Sequence, residues 1–152
     1  GKRAGAAAGK EPVRKKRVDT TQVKRQLDRL ERFRNGTKSP ARIRSMLQQA
    51  MWDGAGIFRN AEDLKRALAA ANVLADKPVK AETPRNLAEC CTLENMCLVA
   101  SLICRSALIR EESRGAHVRR DVQQDWDAEH SPFGHTFISK TRQGIERKGG
   151  AA

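Results

Sequence analysis

The chain has 152 residues and a formal net charge of +12; 39% of its residues are apolar, only 4% are aromatic, and none is tyrosine. That length suits one domain with a real core and argues against a second full domain. A core of Leu, Ala and Met fits helices better than a β-sandwich rich in aromatic and β-branched residues, so the expected fold is all-α, a bundle of three to four helices with irregular basic N-terminal and C-terminal tails.

The charge is unevenly placed. Residues 1–47 hold 15 Lys and Arg against 4 Asp and Glu, residues 48–113 hold 8 against 9, and residues 114–152 hold 7 against 5. A basic arm of this kind can meet phosphates, yet Phe33 is its only aromatic residue, which leaves little for base stacking. A basic helical module that binds nucleic acid or an acidic partner through residues 2–44 is therefore the rival of a different class. Lys, Arg or Glu interrupts each apolar window, so no membrane span of about 20 apolar residues is expected and the chain is expected to be cytoplasmic. Its opening residues have positive charge without an apolar h-region, unlike a secretory signal. The missing initiating Met suggests a fragment or a processed piece.

Taken in order, residues 1–17 read as the end of a preceding element plus a mobile linker, broken at Pro12. Residues 18–121 read as a helical domain and 122–152 as an irregular tail. Asp19 is a candidate N-cap for a helix that carries Val23, Leu27, Leu30 and Phe33 at helical spacing and ends at the turn dipeptide Asn35-Gly36. Ser39-Pro40 restarts the chain as N-cap and first helical residue, with Ile43, Leu47 and Ala50 or Met51 as its stripe. Trp52-Asp53-Gly54-Ala55-Gly56 is expected to stop that helix. Its two glycines permit a tight turn or a close backbone approach, and Ile57-Phe58 supply an apolar plug beneath. Asn60 and Asp63 resemble a capping box for a third helix with Leu64, Ala67, Leu68, Ala71 and Leu74 on one side. Thr83-Pro84 opens a fourth, running through Leu87, Cys91, Leu98 and Ile103 toward Arg110. It is apolar on most sides from residue 96 to 109, so the others are expected to pack around it. Residues 135–139 form a candidate strand, and 140–152 a frayed tail.

Cys90, Cys97 and Cys104 share a helical face, but at about 10 Å per two turns they stand too far apart for disulfides. No spacing suits zinc, so all four cysteines, Cys91 included, read as small buried hydrophobes in a reducing compartment. The histidines His117, His130 and His135 likewise lack a tight helical pairing for a metal site. Gly54 and Gly56 lack the strand and third glycine of a dinucleotide fingerprint.

The densest charged motif is Arg110-Glu111-Glu112-Ser113-Arg114-Gly115-Ala116-His117. Glu111 and Glu112 are the residue types of a general acid and base, and His117 of a nucleophile's partner. The structural reading competes: Gly115 closes the helix as a left-handed C′ residue, Arg110 and Arg114 face the helix dipole from its last turn, and Glu111 pairs with Arg114 at helical spacing. On that reading Gly115→Ala destabilises more than Glu112→Ala.

This motif, with Arg119 and Asp121 following, resembles the C-terminal helical domain of the fumarate reductase, succinate dehydrogenase and L-aspartate oxidase flavoprotein family. Met51-Trp52-Asp53-Gly54-Ala55-Gly56-Ile57-Phe58-Arg59 and the run from Leu93-Glu94-Asn95-Met96 to Ser106-Ala107-Leu108 are similar to that domain as well, and Gly1-Lys2-Arg3-Ala4-Gly5 is similar to the last helix of the family's FAD-binding domain. The Met51-Trp52 pair and Ser131-Pro132 look most like L-aspartate oxidase, whereas Asp125-Trp126 and His135-Thr136 look like the dehydrogenase flavoproteins. The pattern departs at Val118 and Val122-Gln123-Gln124.

The resemblance implies a parent enzyme that uses FAD to move hydride to or from a small dicarboxylate or aspartate. It points first to L-aspartate oxidase, which makes iminoaspartate for NAD biosynthesis; the alternative is the flavoprotein subunit of fumarate reductase or succinate dehydrogenase. It further implies that Arg110, Glu111, Glu112, Ser113, Arg114, Gly115, His117 and Arg119 form a contact with the FAD-binding and capping domains of the same enzyme. Catalytic and flavin-binding residues lie outside the matching region, so none is assigned and the fragment alone is expected to be inactive and free of FAD.

Overall fold

Caps and prolines set the helix starts in this computed structural model, which describes residues 2–10, 20–122, 131, 133–138 and 143–147. The chain divides into two units, Gly1–Glu31 and Arg32–Ala152. The first holds α1 (Lys2–Ala8) and α2 (Thr20–Glu31), neither of which buries a residue. Thus the stripe on α2 exists, but Val23 and Leu27 are exposed. Asp19, its expected cap, lies outside the described residues, and α2 falls outside the unit that holds the other helices of the expected domain.

In the second unit, a 3-10 turn at Arg32–Arg34 buries Phe33. Gly36 is required by the close approach of two connections: a Cβ there would stand 2.0 Å from the Val79 carbonyl oxygen. The backbones of Thr37 and Lys38 both donate to the Pro78 carbonyl, and Lys80 donates back to Lys38.

Three helices follow. In α3 (Pro40–Ala55), Pro40 sets the start, since the Ser39 side chain makes no cap bond. α4 (Ala61–Ala75) begins where the Asn60 side-chain oxygen accepts the Asp63 N–H at 2.8 Å, while its amide donates to the Asp63 carboxylate at 2.6 Å. At the start of α5 (Pro84–Ile109), Thr83 Oγ1 accepts the Asn86 N–H at 3.1 Å. The core is Ile43 and Leu47 from α3, Leu64, Ala67, Ala71 and Leu74 from α4, and Cys90, Leu93, Cys97, Ala100, Cys104 and Ala107 from α5. That last set alternates three- and four-residue steps, the spacing of a helical seam. All four cysteines are free thiols. Burial pushes the Cys90, Cys97 and Cys104 thiols up from their ordinary value.

The fold is mostly helical, as the composition predicts. The helix opened by Pro40 ends inside the expected stretch, at Ala55 with Gly56 as its C-cap, and Gly54 permits the close approach to α4: an added Cβ there would stand 2.7 Å from the Asp63 carbonyl oxygen and 2.8 Å from the Ala67 Cβ. Three local expectations fail. Ile57 and Phe58 are exposed and plug nothing. α5 is not encircled, since Leu98, Val99 and Ile103 are exposed on the side away from its seam. It is also long and apolar enough to cross a membrane by length and composition, contrary to the charge-interruption argument, although a core helix of a soluble protein passes the same test.

The C-terminal stretch is not all irregular. β1 (Phe58–Arg59) pairs in parallel with β2 (Val118–Arg119), and the expected strand near residue 135 is present as β3 (Phe133–Ile138), antiparallel to β4 (Gln143–Arg147). β4 lies in the stretch expected to fray, because cross-strand bonds to β3 satisfy its backbone.

Candidate functional site

The motif begins where α5 ends. Arg110, at its C-cap, has left the helical conformation, with φ −86° and ψ 96°. Side chains two apart on extended backbone share a side, and two pairs of the site have that spacing, Arg110 with Glu112 and Arg119 with Asp121. The Arg110 guanidinium meets the Glu112 carboxylate, which is fully buried; the Ser131 hydroxyl donates to the other Glu112 oxygen, and Arg110 also donates to the Gly134 carbonyl on β3. Ser131 Oγ in turn accepts the Phe133 N–H at 3.1 Å.

Arg119 is the hub. Its side chain is 3% exposed and makes four hydrogen bonds: Nη1 donates to the Ala107 and Arg110 carbonyls at 2.9 and 3.0 Å, while Nε and Nη2 donate to the two Asp121 oxygens at 2.8 and 2.9 Å. The Ala107 carbonyl belongs to the last turn of α5 and the Arg110 carbonyl to its C-cap, where acceptors have no intrahelical partner. Asp121 also accepts the Ala61 N–H, at the first turn of α4, at 2.8 Å. The Arg119 hydrogen bonds hold the Asp121 carboxyl far below the usual carboxylate range, helped by the Ala61 N–H and opposed by partial burial. Ser113 Oγ accepts the Arg119 backbone N–H at 2.9 Å.

His117 completes the arrangement. Nδ1 lies 2.9 Å from Arg59 Nη1, and Nε2 lies 3.1 Å from the Arg110 carbonyl oxygen. An arginine only donates and a carbonyl only accepts, so Nδ1 is the acceptor and Nε2 carries the proton. Burial lowers the His117 pKa below 6.5; the Arg110 carbonyl works against this, and the charges of Arg59, Arg119 and Arg110 add to it. The imidazole is therefore neutral. Arg59 is positioned by the β1–β2 pairing, with Val118 N–H donating to Ile57 and Arg120 N–H to Arg59. Arg120 lies over the Phe58 ring, 4.2 Å from its centroid.

The structure thus brings Arg110, Glu112, Ser113, His117 and Arg119 together. The side chains of Glu111 and Arg114 point into solvent and take no part. Gly115 does have positive φ, +57°, but it does not close the helix, whose last residue is Ile109. It occupies the first central position of a reverse turn in which Arg114 and His117 exchange both backbone hydrogen bonds, at 2.8 and 3.0 Å. Positive φ at that position alone is the mark of a type II′ turn. The helical Glu111–Arg114 pair and the last-turn placement of Arg110 and Arg114 fall with it.

Arg59 and Ser131 are members that the motif's own residues do not reveal. A signal for Asp121 was present, two residues from Arg119 on an extended segment. His130 lies outside the described residues, and His135 is an exposed residue on β3. Chemically, the arrangement is closed: Glu112, Arg119 and Ser131 are 0%, 4% and 2% exposed, and each is fully occupied by partners. An acid or base must reach its substrate within hydrogen-bond distance, and a carboxylate wedged between Arg110 and Ser131 does not.

Comparison with known proteins identifies a family. Residues 44–148 match the family model of the fumarate reductase flavoprotein C-terminus, a span that includes every member of the site. The chain is 39% identical over 132 residues to a fumarate reductase (CoM/CoB) polypeptide of Methanothermobacter marburgensis, covering 82% of the chain and 24% of that protein. It is 31% identical over 167 residues to the fumarate reductase flavoprotein subunit of Mycobacterium tuberculosis, covering 98% and 28%. Among solved structures, the Mycobacterium smegmatis Sdh1 complex in its apo form superposes with a TM-score of 0.69 at 27% identity, over 82% of this chain and 22% of that one. The chain therefore spans about a quarter of the length of these relatives.

Proposed function

The chain belongs to the fumarate reductase flavoprotein C-terminal family, and we propose that it is the helical domain on which the FAD-binding and capping domains of its parent oxidoreductase rest. The observation that carries this reading is the closed site: Arg110, Glu112, His117 and Arg119 are spent on tying α5 to α4, β1 and β3. Glu111, Arg114, Gly115 and Ala116 remain exposed on the turn and are the part of the motif free to touch another domain.

FAD is the cofactor of the family's parent enzymes. Gly54 and Gly56 do not form a dinucleotide loop: Gly54 lies inside α3 with its Cβ space filled by α4, and Gly56 follows the C-terminal end of that helix. A pyrophosphate needs backbone N–H groups at a helix N-terminus after a strand. Flavin binding accordingly belongs to the remainder of the parent.

The parent would move hydride between flavin and a four-carbon dicarboxylate, and fumarate or succinate is the favoured substrate. Supporting this, the relatives named fumarate reductase cover 82% and 98% of the chain, whereas the L-aspartate oxidase of Synechocystis, 34% identical over 123 residues, covers 65%. The L-aspartate oxidase reading keeps one sequence feature, the Met51-Trp52 pair, but Trp52 is 81% exposed and nothing in this domain constrains it.

The test is turnover by the full-length polypeptide that contains residues 1–152. A flavin spectrum with fumarate-dependent oxidation of a reduced viologen dye is expected. Aspartate-dependent peroxide formation without fumarate turnover would select the oxidase instead, and a preparation that never carries flavin would overturn both.

A further inference from the structure

His117 stands where a second proton on its ring has no acceptor to meet. The ring is half-buried, its Nδ1 accepts from Arg59 at 2.9 Å, and its Nε2 donates to the Arg110 carbonyl at 3.1 Å. The charged groups that face it are all cations: Arg59 from β1, Arg119 from β2 and Arg110 from the end of α5. The site's two carboxylates are already held, Glu112 by Arg110 and Ser131, and Asp121 by Arg119 and the Ala61 N–H. An added proton goes to Nδ1, so two cationic donors then face each other across the Arg59–His117 contact.

The strand on the other side of that contact has little else to hold it. Ile57 and Phe58 are 60% and 58% exposed, so apolar burial contributes little to β1. Two backbone hydrogen bonds join it to the β2 segment, from the Val118 N–H to Ile57 and from the Arg120 N–H to Arg59. Side chains add the Arg59–His117 bond and Arg120 over the Phe58 ring. Segments with few buried apolar contacts are the first to open. We propose that His117 is a proton-operated latch: its protonation breaks the Arg59 bond and frees β1 and the Arg114–His117 turn while the helices stay folded. The helices persist because the bond network that joins α5 to α4 runs through Arg119 and Asp121 and bypasses the imidazole. Arg119 holds the Asp121 carboxyl far below the usual carboxylate range, so that pair keeps its charge while the ring titrates. Burial and the surrounding arginines lower the His117 pKa from 6.5, so the opening develops below that value. The latch lies wholly within this chain and is independent of what the parent catalyses.

Hydrogen exchange read by mass spectrometry tests the latch on the full-length polypeptide that contains residues 1–152. It is run from about pH 7.5 to about pH 5, across the ordinary histidine range, with labelling times scaled for the intrinsic pH dependence of exchange. Peptides covering residues 114–120 carry the bonded amides of Arg114, His117, Val118 and Arg120. Their opening should grow by about tenfold per pH unit below 6.5, the signature of one linked proton, until the folded ring is itself protonated. Peptides of α4 and α5 should keep their protection. In His117→Gln, whose side chain takes up no proton, the pH response should vanish. An equal response in that variant would overturn the latch, as would loss of α4 and α5 protection in parallel with residues 114–120. Should the variant fail to fold, the wild-type profile decides alone: no gain in opening below 6.5, or a rise already complete at 6.5, refutes the proposal.

Discussion

Truncating the hub of the site should be among its most damaging single changes. Arg119→Ala removes a guanidinium that is 3% exposed, takes its donor from the Ala107 carbonyl, and leaves the Arg110 carbonyl with His117 and Asp121 with the Ala61 N–H. A hydrogen bond from a charged donor is worth about 1.5–3 kcal/mol, and breaking one side of a buried ion pair costs about 3–5 kcal/mol. These figures overlap and do not add. Asp121 is 30% exposed, so water can resolvate it and the lower end applies, about 3 kcal/mol. Against a total stability of about 5–15 kcal/mol, that loss is a large fraction. The assay is urea unfolding of the 152-residue chain followed by far-UV circular dichroism, with Arg120→Ala as control. Arg120 is exposed and its stacking on Phe58 is worth about 0.5–1 kcal/mol. Arg119→Lys should recover only part of the loss, since an ammonium cannot reproduce the fork. If Arg119→Ala and Arg120→Ala shift the unfolding free energy equally, the hub assignment is wrong.

Other outcomes follow from the same geometry. Glu112→Ala, which leaves Arg110 and Ser131 without their partner, should destabilise by about 3 kcal/mol. Gly115→Ala meets open space and loses only its backbone preference, about 1 kcal/mol. The order expected from the helix-closing reading of Gly115 is therefore reversed, and comparing the two urea midpoints checks it. Gly54→Ala should lower stability by about 1–3 kcal/mol through overpacking against Asp63 and Ala67, visible as a lower melting temperature. The pH dependence has a definite sign. His117 is neutral in the fold with its pKa below 6.5, so the unfolded chain takes up the proton first and stability falls as the pH drops from 6.5 toward the folded value. Asp121, depressed from 3.8, contributes stability that is present above that value and is lost as the pH falls further. His117→Gln should flatten the first step and preserve the second in unfolding measured across a pH series; an unchanged slope between pH 6.5 and about 5 would refute the His117 account.

The helix starts were legible because their signals are local: Pro40, Asn60 with Asp63, and Thr83-Pro84 act within one turn. The seam of α5 was half legible. Its seven-residue cysteine spacing marks the buried face, but hydrophobicity all round the helix conceals which apolar residues stay outside, and only packing distinguishes Cys97 from Val99. In the charged motif, the residues were identified but their geometry was not. Pairing Glu111 with Arg114 assumed that the helix continued, whereas the chain is already extended at Arg110 and its pairs are two apart. Arg59 was out of reach because it is joined to His117 by strand pairing across 58 residues of sequence, a contact that no local period encodes.

The Arg119–Asp121 pair has a kinetic consequence. Helix ends normally fray, with terminal amides opening to solvent far more often than the whole domain unfolds. Here one ion pair fastens both the closing carbonyls of α5 and the first amide of α4, so opening either end gives up a hydrogen bond to a charged group that is anchored on the other. In hydrogen exchange, the closing turn of α5 and the opening turn of α4 should behave as a single cooperative unit with the protection of the core, and Arg119→Ala should release both ends to independent, fast exchange.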